Sequence, residues 1–155
     1  MKNILEFKSF KNKGQKISMV TCYDHWSAKI VGQTDIDCLL VGDSLAMVVH
    51  GFDSTIHATL EMMELHVAAV ERAKTNKLIV ADLPFLSHRK GKKHLMNHVD
   101  RLMKAGASAV KIELGTNQSD IARYITESGI PVIGHLGLTP QHVHQLGGYT
   151  VQGKT

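Results

Sequence analysis

Leu39-Leu40-Val41-Gly42-Asp43-Ser44 is an apolar run that stops abruptly in a glycine, a carboxylate and a hydroxyl. A run of this kind reads as a strand of a parallel sheet, buried on both faces and delivering polar groups at its C-terminal end. The pattern recurs along the chain. Residues 18–23 run up to Asp24, Cys38–Val41 to Gly42-Asp43-Ser44, residues 78–81 to Asp82, and residues 132–133 to Gly134-His135. In Ala109–Glu113, side chains alternate between faces with period two, so Lys111 and Glu113 share one face and Val110 and Ile112 the other.

Helix-period segments separate these runs. Trp26, Ala28, Ile30 and Val31 follow the first strand. Thr59 is placed to cap a helix whose Leu60, Met63, Val67 and Val70 fall on one face, with Glu61 in its first turn. Leu95, Val99, Leu102 and Met103 mark another, closed by Gly106, and Asn117 with Asp120 reads as a capping box for a helix through Ile121 and Ile125 that ends at Gly129 and Pro131. Residues 1–16 predict a short amphipathic helix with Ile4, Leu5, Phe7 and Phe10, then a turn at Gly14. After Thr139-Pro140 comes the glycine-rich Gly147-Gly148-Tyr149, where no further periodic element is expected and His142 and His144 read as loop residues.

About five alternations of strand and helix call for a parallel sheet with right-handed crossovers. A doubly wound sheet would carry a phosphate-binding turn such as G-x-G-x-x-G after its first strand, and Asp24-His25-Trp26 is not one. The expected architecture is α/β of the (β/α)8 TIM-barrel type, whose sites are assembled from strand C-termini. Residues 1–155 would form a single partial barrel domain: the helix 1–16, then the first five units and the following loop over 17–155. Such a barrel takes roughly 250 residues, and an unclosed one exposes its inner face and a bare edge. The expectation is therefore a fragment, a truncated gene or a partial chain.

Composition narrows the function classes. Of 155 residues, 43% are hydrophobic and 21% charged, which is ordinary for a globular domain and argues against disorder. No apolar run approaches the roughly 20 residues of a membrane span and the N-terminus lacks a signal-peptide core, so a cytoplasmic protein is expected. Cys22 and Cys38 lie in apolar, strand-like surroundings, where cysteine behaves as a small hydrophobe. Net charge is +4, with a basic run at residues 88–93, but only 5% of residues are aromatic and no nucleic-acid motif accompanies the run. A solvated basic face is the expectation there, with an anionic small ligand as the alternative.

In a barrel, Asp43, Asp82 and Glu113 would converge at one rim. Three neighbouring carboxylates repel unless they are protonated or bridged by a cation, and an all-oxygen set with few protein ligands suits Mg²⁺. A lone aspartate at a strand end is usually a cap or turn residue. Several strands ending alike point instead to a shared site. Lys111 would pair with Glu113 or bind a substrate carboxylate or carbonyl; Ser44 would donate to the same anion or cap a helix. His94 and His98 have metal-ligand spacing on a helix, but no glutamate follows His94 as in H-E-x-x-H, and an exposed pair is expected.

The ordered blocks Met19-Val20-Thr21-x-Tyr23-Asp24, Val41-Gly42-Asp43-Ser44-Leu45, Phe52-Asp53-Ser54-Thr55, Ala81-Asp82-Leu83-Pro84-Phe85, Val110-Lys111-Ile112-Glu113 and Gly134-His135-Leu136-Gly137-Leu138-Thr139-Pro140-Gln141 resemble the ketopantoate hydroxymethyltransferase family. Gly147-Gly148-Tyr149-x-Val151-Gln152-Gly153-Lys154 looks like that family's loop after its fifth strand. The resemblance implies a (β/α)8 barrel, assembled as a homodecamer, that adds a hydroxymethyl group from 5,10-methylenetetrahydrofolate to 3-methyl-2-oxobutanoate through a Mg²⁺-stabilised enolate, giving ketopantoate for pantothenate and coenzyme A. Carried over by motif, Asp43, Asp82 and Glu113 would serve the metal, and Asp43, Ser44, Asp82, Lys111 and His135 the oxo acid. The family's catalytic base resembles a glutamate on the strand after the fifth, beyond Thr155, so no catalytic base is expected within this chain. The basic run at 88–93 would be placed to meet the anionic tail of the folate. Alternatives are another Mg²⁺-dependent 2-oxo-acid enzyme of the phosphoenolpyruvate mutase/isocitrate lyase type, or a truncated, catalytically silent fragment; on every reading neither nucleic acid nor membrane is an expected partner.

Overall fold

The computed structural model describes residues 3–115 and 118–153. Five parallel strands, β1 (Met19–Thr21), β2 (Cys38–Val41), β3 (Leu78–Asp82), β4 (Ala109–Glu113) and β5 (Val132–His135), stand in sequence order β1-β2-β3-β4-β5. Each crossover therefore moves one strand over in the same direction, which puts the connecting helices on one face. A doubly wound sheet would reverse its order at a switch point. This is five units of a singly wound (β/α)8-type wall.

The register separates two faces. Cys38 lies beside Leu78, Leu40 beside Val80, Val80 beside Ala109, Asp82 beside Lys111, and Glu113 beside His135. The opposite face, with Leu39, Val41, Ile79, Ala81, Val110 and Ile112, packs on Met63, Val67 and Val70 of α4 (Leu60–Glu71) and on Leu95, Val99 and Leu102 of α5 (Lys92–Lys104). On the inner face a smaller cluster forms from Cys38, Leu78, Val80 and Ala109, and Phe7 of α1 (Ile4–Asn12) packs against it. The N-terminal helix thus covers the lower end of the inner face, leaving the C-terminal rim to the polar residues. No helix among the described residues is long and apolar enough to cross a membrane.

Local chemistry sets the boundaries. Thr59 Oγ1 accepts from the Met62 N–H at 3.2 Å and starts α4 as expected. Asp24, at the end of the first strand, is also a cap: it accepts from the Ser27 N–H at 2.8 Å to start α2 (His25–Val31) and takes no part in the rim. Gly106 follows α5 with φ +116°, and a Cβ there would lie 2.2 Å from Glu71 Cγ. Gly106→Ala is expected to cost at least 1–2 kcal/mol, roughly the left-handed penalty alone, measured by urea unfolding; an unchanged midpoint would contradict this packing.

Three expectations change. The first strand is shorter than residues 18–23, covering only Met19–Thr21. The tail after β5 is not aperiodic: a 3-10 turn, Pro140–His142, leads into α7 (Val143–Leu146), so His142 and His144 are helical residues. Proline at the first helical position explains the start, since it lacks only an N–H that would be unpaired there. Finally, α6 (Ser119–Glu127) starts after Gln118, which makes no side-chain cap bond. The expected cap Asn117, like Lys154, lies outside the described residues.

Candidate active site at the strand C-termini

Because all five strands run the same way, their C-terminal ends bring polar residues from far apart in sequence to one rim. β2 ends at Val41, and Gly42 lets the chain turn tightly, since a Cβ there would lie 2.9 Å from Ser44 Oγ and 3.4 Å from Asp82 Oδ2. The turn aims the Asp43 N–H at Asp82 Oδ2, 3.1 Å away. Asp82 Oδ1 faces Lys111 Nζ across the β3–β4 register at 2.6 Å, a buried ion pair. Lys111 therefore pairs with Asp82 rather than with Glu113, its neighbour in sequence.

Glu113 turns toward the β5 side. Its Oε1 lies 3.3 Å from His135 Nδ1, and its Oε2 accepts the Gln141 N–H at 2.9 Å and lies 4.0 Å from His142 Nδ1. The Gln141 side chain spans the rim: Nε2 donates to Asp43 Oδ2 at 2.8 Å and to the Leu83 carbonyl at 2.9 Å. Ser44 precedes the short helix α3 (Leu45–Val48) without capping it, and its hydroxyl hydrogen-bonds the Tyr23 hydroxyl at 2.8 Å. Of Ser44's two expected roles the cap is absent, so the hydroxyl pair stays at the rim.

The electrostatics follow from burial. Asp43, Asp82 and Glu113 are only 4%, 3% and 2% exposed, so desolvation penalises their charge. Asp43 is pushed up to about 7, by burial first and by the neighbouring Asp82 charge second. Burial also raises Asp82 and Glu113, while Lys111 pulls all three downward. Lys111 and His135 line a hollow of about 440 Å³ on the inner face with Leu40 and Ile133, beside the carboxylates. A second cleft, of about 580 Å³, is lined by Leu114, the residue after β4, with His142, Thr139 and Arg89.

Among the described residues, no three His, Cys, Asp or Glu side chains are grouped as a ready metal cage. The donors present still fit a hard divalent cation. Asp43 and Asp82 are buried, adjacent and raised in pKa, carboxylate oxygens of the kind a hard cation takes. Mg²⁺ is bound through one or two carboxylates and takes its other positions from water and substrate oxygens.

All the predicted rim residues, Asp43, Ser44, Asp82, Lys111, Glu113 and His135, lie at this one end of the sheet. Sequence reasoning gave no role to Gln141, Tyr23 or His142. Tyr23 carried the same strand-end signal as the others, and Thr139-Pro140 is a helix-start signal that would have placed Gln141 on a turn. His94 and His98 are not a simple exposed pair: their rings lie 4.2 Å apart at a 49° tilt, and His98 Nδ1 donates to Ser87 Oγ at 2.8 Å, since that hydroxyl already donates to the Pro84 carbonyl. Burial, with His94 second, lowers His98 to about 4. This pair braces the loop after β3.

Solved structures with this fold include 2,3-dimethylmalate lyase, a PEP mutase/isocitrate lyase superfamily member, with TM-score 0.59 at 18% identity over 84% of this chain and 51% of that one. Phosphonopyruvate hydrolase in complex with oxalate and Mg²⁺ gives TM-score 0.61 at 13% identity over 76% of this chain and 41% of that one. These likenesses show the fold alone. In sequence, the chain is 53% identical to 3-methyl-2-oxobutanoate hydroxymethyltransferase of Bdellovibrio bacteriovorus, over 99% of this chain and 59% of the relative. It is 52% identical to the enzyme of that name from Coxiella burnetii, over 98% of this chain and 58% of the relative. The chain thus spans 58–59% of the length of these relatives. The family model described as ketopantoate hydroxymethyltransferase matches residues 1–155, and the chain belongs to that family.

Proposed function

We propose that this chain is the metal- and oxo-acid-binding part of an enzyme that transfers a hydroxymethyl group from 5,10-methylenetetrahydrofolate to 3-methyl-2-oxobutanoate, yielding ketopantoate. The observation that carries the reading is the buried Asp43–Asp82–Lys111 arrangement at the strand C-termini. Asp43 and Asp82 would hold Mg²⁺, with Glu113 completing the carboxylate set. When bound, Mg²⁺ supplies Lewis-acid stabilisation of the negative charge that develops on a 2-oxo acid.

This chain's residues supply the rest. Lys111, lining the inner hollow with its side chain mostly buried, adds a fixed positive charge beside the oxo acid's oxygens. The Ser44–Tyr23 hydroxyl pair offers one further donor at the rim, and His135, its Nδ1 3.3 Å from Glu113 Oε1, lines the same hollow. Arg89 in the neighbouring cleft meets the anionic end of the folate. We assign the removal of the C3 proton to none of these rim residues. We place the reaction in the cytoplasm, in a homo-oligomer of decameric type, with residues 1–155 as one partial barrel domain.

The test is binding of Mn²⁺, a paramagnetic stand-in for Mg²⁺, by electron paramagnetic resonance with and without 3-methyl-2-oxobutanoate. The oxo acid is expected to tighten Mn²⁺ binding, and EDTA to abolish oxo-acid binding. Binding of neither would overturn the proposal.

A further inference from the structure

Gln141 lies in the loop after β5, yet it is 5% exposed and bonded to three separate parts of the rim. Its two side-chain donor bonds run to Asp43 Oδ2 (2.8 Å) and the Leu83 carbonyl (2.9 Å); its backbone N–H bonds Glu113 Oε2 at 2.9 Å. Both side-chain partners are acceptors, so the amide can stand only one way round. The Asp43 carboxylate cannot swing without breaking a buried hydrogen bond, and the loop cannot lift without freeing both carboxylates at once. Each of those losses leaves a buried polar group unsatisfied.

We propose that Gln141 is a positioning residue: it orients the Asp43 carboxylate toward the metal position and latches the loop that carries His142 across Glu113. It does not touch substrate. The inference rests on the metal and oxo-acid reading above, and acts through the general rule that partners of ligating carboxylates set their orientation.

Gln141→Met keeps the side chain's length and removes both donor bonds. In the 155-residue chain it is expected to weaken Mn²⁺ affinity, measured with 3-methyl-2-oxobutanoate present, by roughly 10–100-fold. Ile125→Val removes a buried methylene from α6, away from the carboxylates; it is expected to lower the melting temperature while leaving Mn²⁺ affinity within about twofold. Equal affinity in Gln141→Met and wild type, or equal losses in the two variants, would overturn the assignment.

A second measurement decides the matter if Gln141→Met fails to fold or the wild type binds no Mn²⁺, the latter outcome sinking the functional reading alone. In the wild-type NMR spectrum, the Gln141 side-chain amide protons are expected to exchange slowly with solvent and to shift on Asp43→Asn. Fast exchange with no shift would exclude the latch itself.

Discussion

Lys111→Met is expected to destabilise the fold by about 3–5 kcal/mol at pH 8, the range for removing one partner of a buried ion pair. Both side chains of the Lys111–Asp82 pair are nearly dry, at 11% and 5% exposure. Lys111 also opposes the burial-driven rise in Asp43, Asp82 and Glu113 together. Without it, three carboxylates share a desolvated rim with no lysine or arginine partner among the contacts of the described residues. They must take up protons or lose their packing. Methionine retains the stem's apolar contacts, so the loss measures charge rather than volume.

The pH dependence of that cost has a definite sign. Removing the cation raises the folded-state pKa of each carboxylate further, so each ionisation that rising pH imposes costs the variant more than the wild type. The destabilisation should therefore grow from pH 5 to pH 8 in urea unfolding followed by circular dichroism. Combining Lys111→Met with Asp82→Asn should restore part of the loss, because the coupling belongs to the pair. A cost under about 1 kcal/mol at pH 8 would show that water reaches this rim and that the pair is a surface bridge.

The strands that could be read from the chain alone are those whose signal is local. Cys38–Val41 and Ala109–Glu113 are apolar runs with sharp polar ends, and the structure places both at the expected residues. The start of α4 was legible because Thr59 offers a specific chemical stop for an unpaired N–H. The pairings inside the site were not legible, because they depend on register. Period-two alternation shows that Lys111 and Glu113 share a face, but only the position of Asp82 beside Lys111 decides that the lysine turns toward β3. Gln141 illustrates the same limit. Its turn has no apolar periodicity, and it is held by hydrogen bonds to residues 28, 58 and 98 positions away. Asp24 shows the converse: at a strand end like the others, it is spent on a local cap.

The apo rim stores unfavourable energy that ligands can release, and Asp43 shows it in a single group. Its folded pKa is about 7 against an ordinary 3.8, a rise caused chiefly by burial. The folded chain therefore holds a proton that the unfolded chain releases. The stabilisation from this group is complete below pH 3.8 and is lost as pH rises through about 7. A rise of this size corresponds to roughly 4 kcal/mol, and the raised Asp82 and Glu113 act with the same sign. Wild-type stability should fall between pH 4 and pH 8. Asp43→Asn cannot ionise, and its Oδ1 can still accept from Gln141. It is expected to match the wild type near pH 4, exceed it by a few kcal/mol at pH 8, and flatten the profile between. Mg²⁺ with 3-methyl-2-oxobutanoate should raise wild-type stability at pH 8 and leave Asp43→Asn unmoved, since the charge that costs stability in the empty rim is the one that holds the ion. A flat wild-type profile, or an asparagine variant weaker than wild type at pH 8, would mean that Asp43 is solvated and ionised, and that the rim is not poised for a cation.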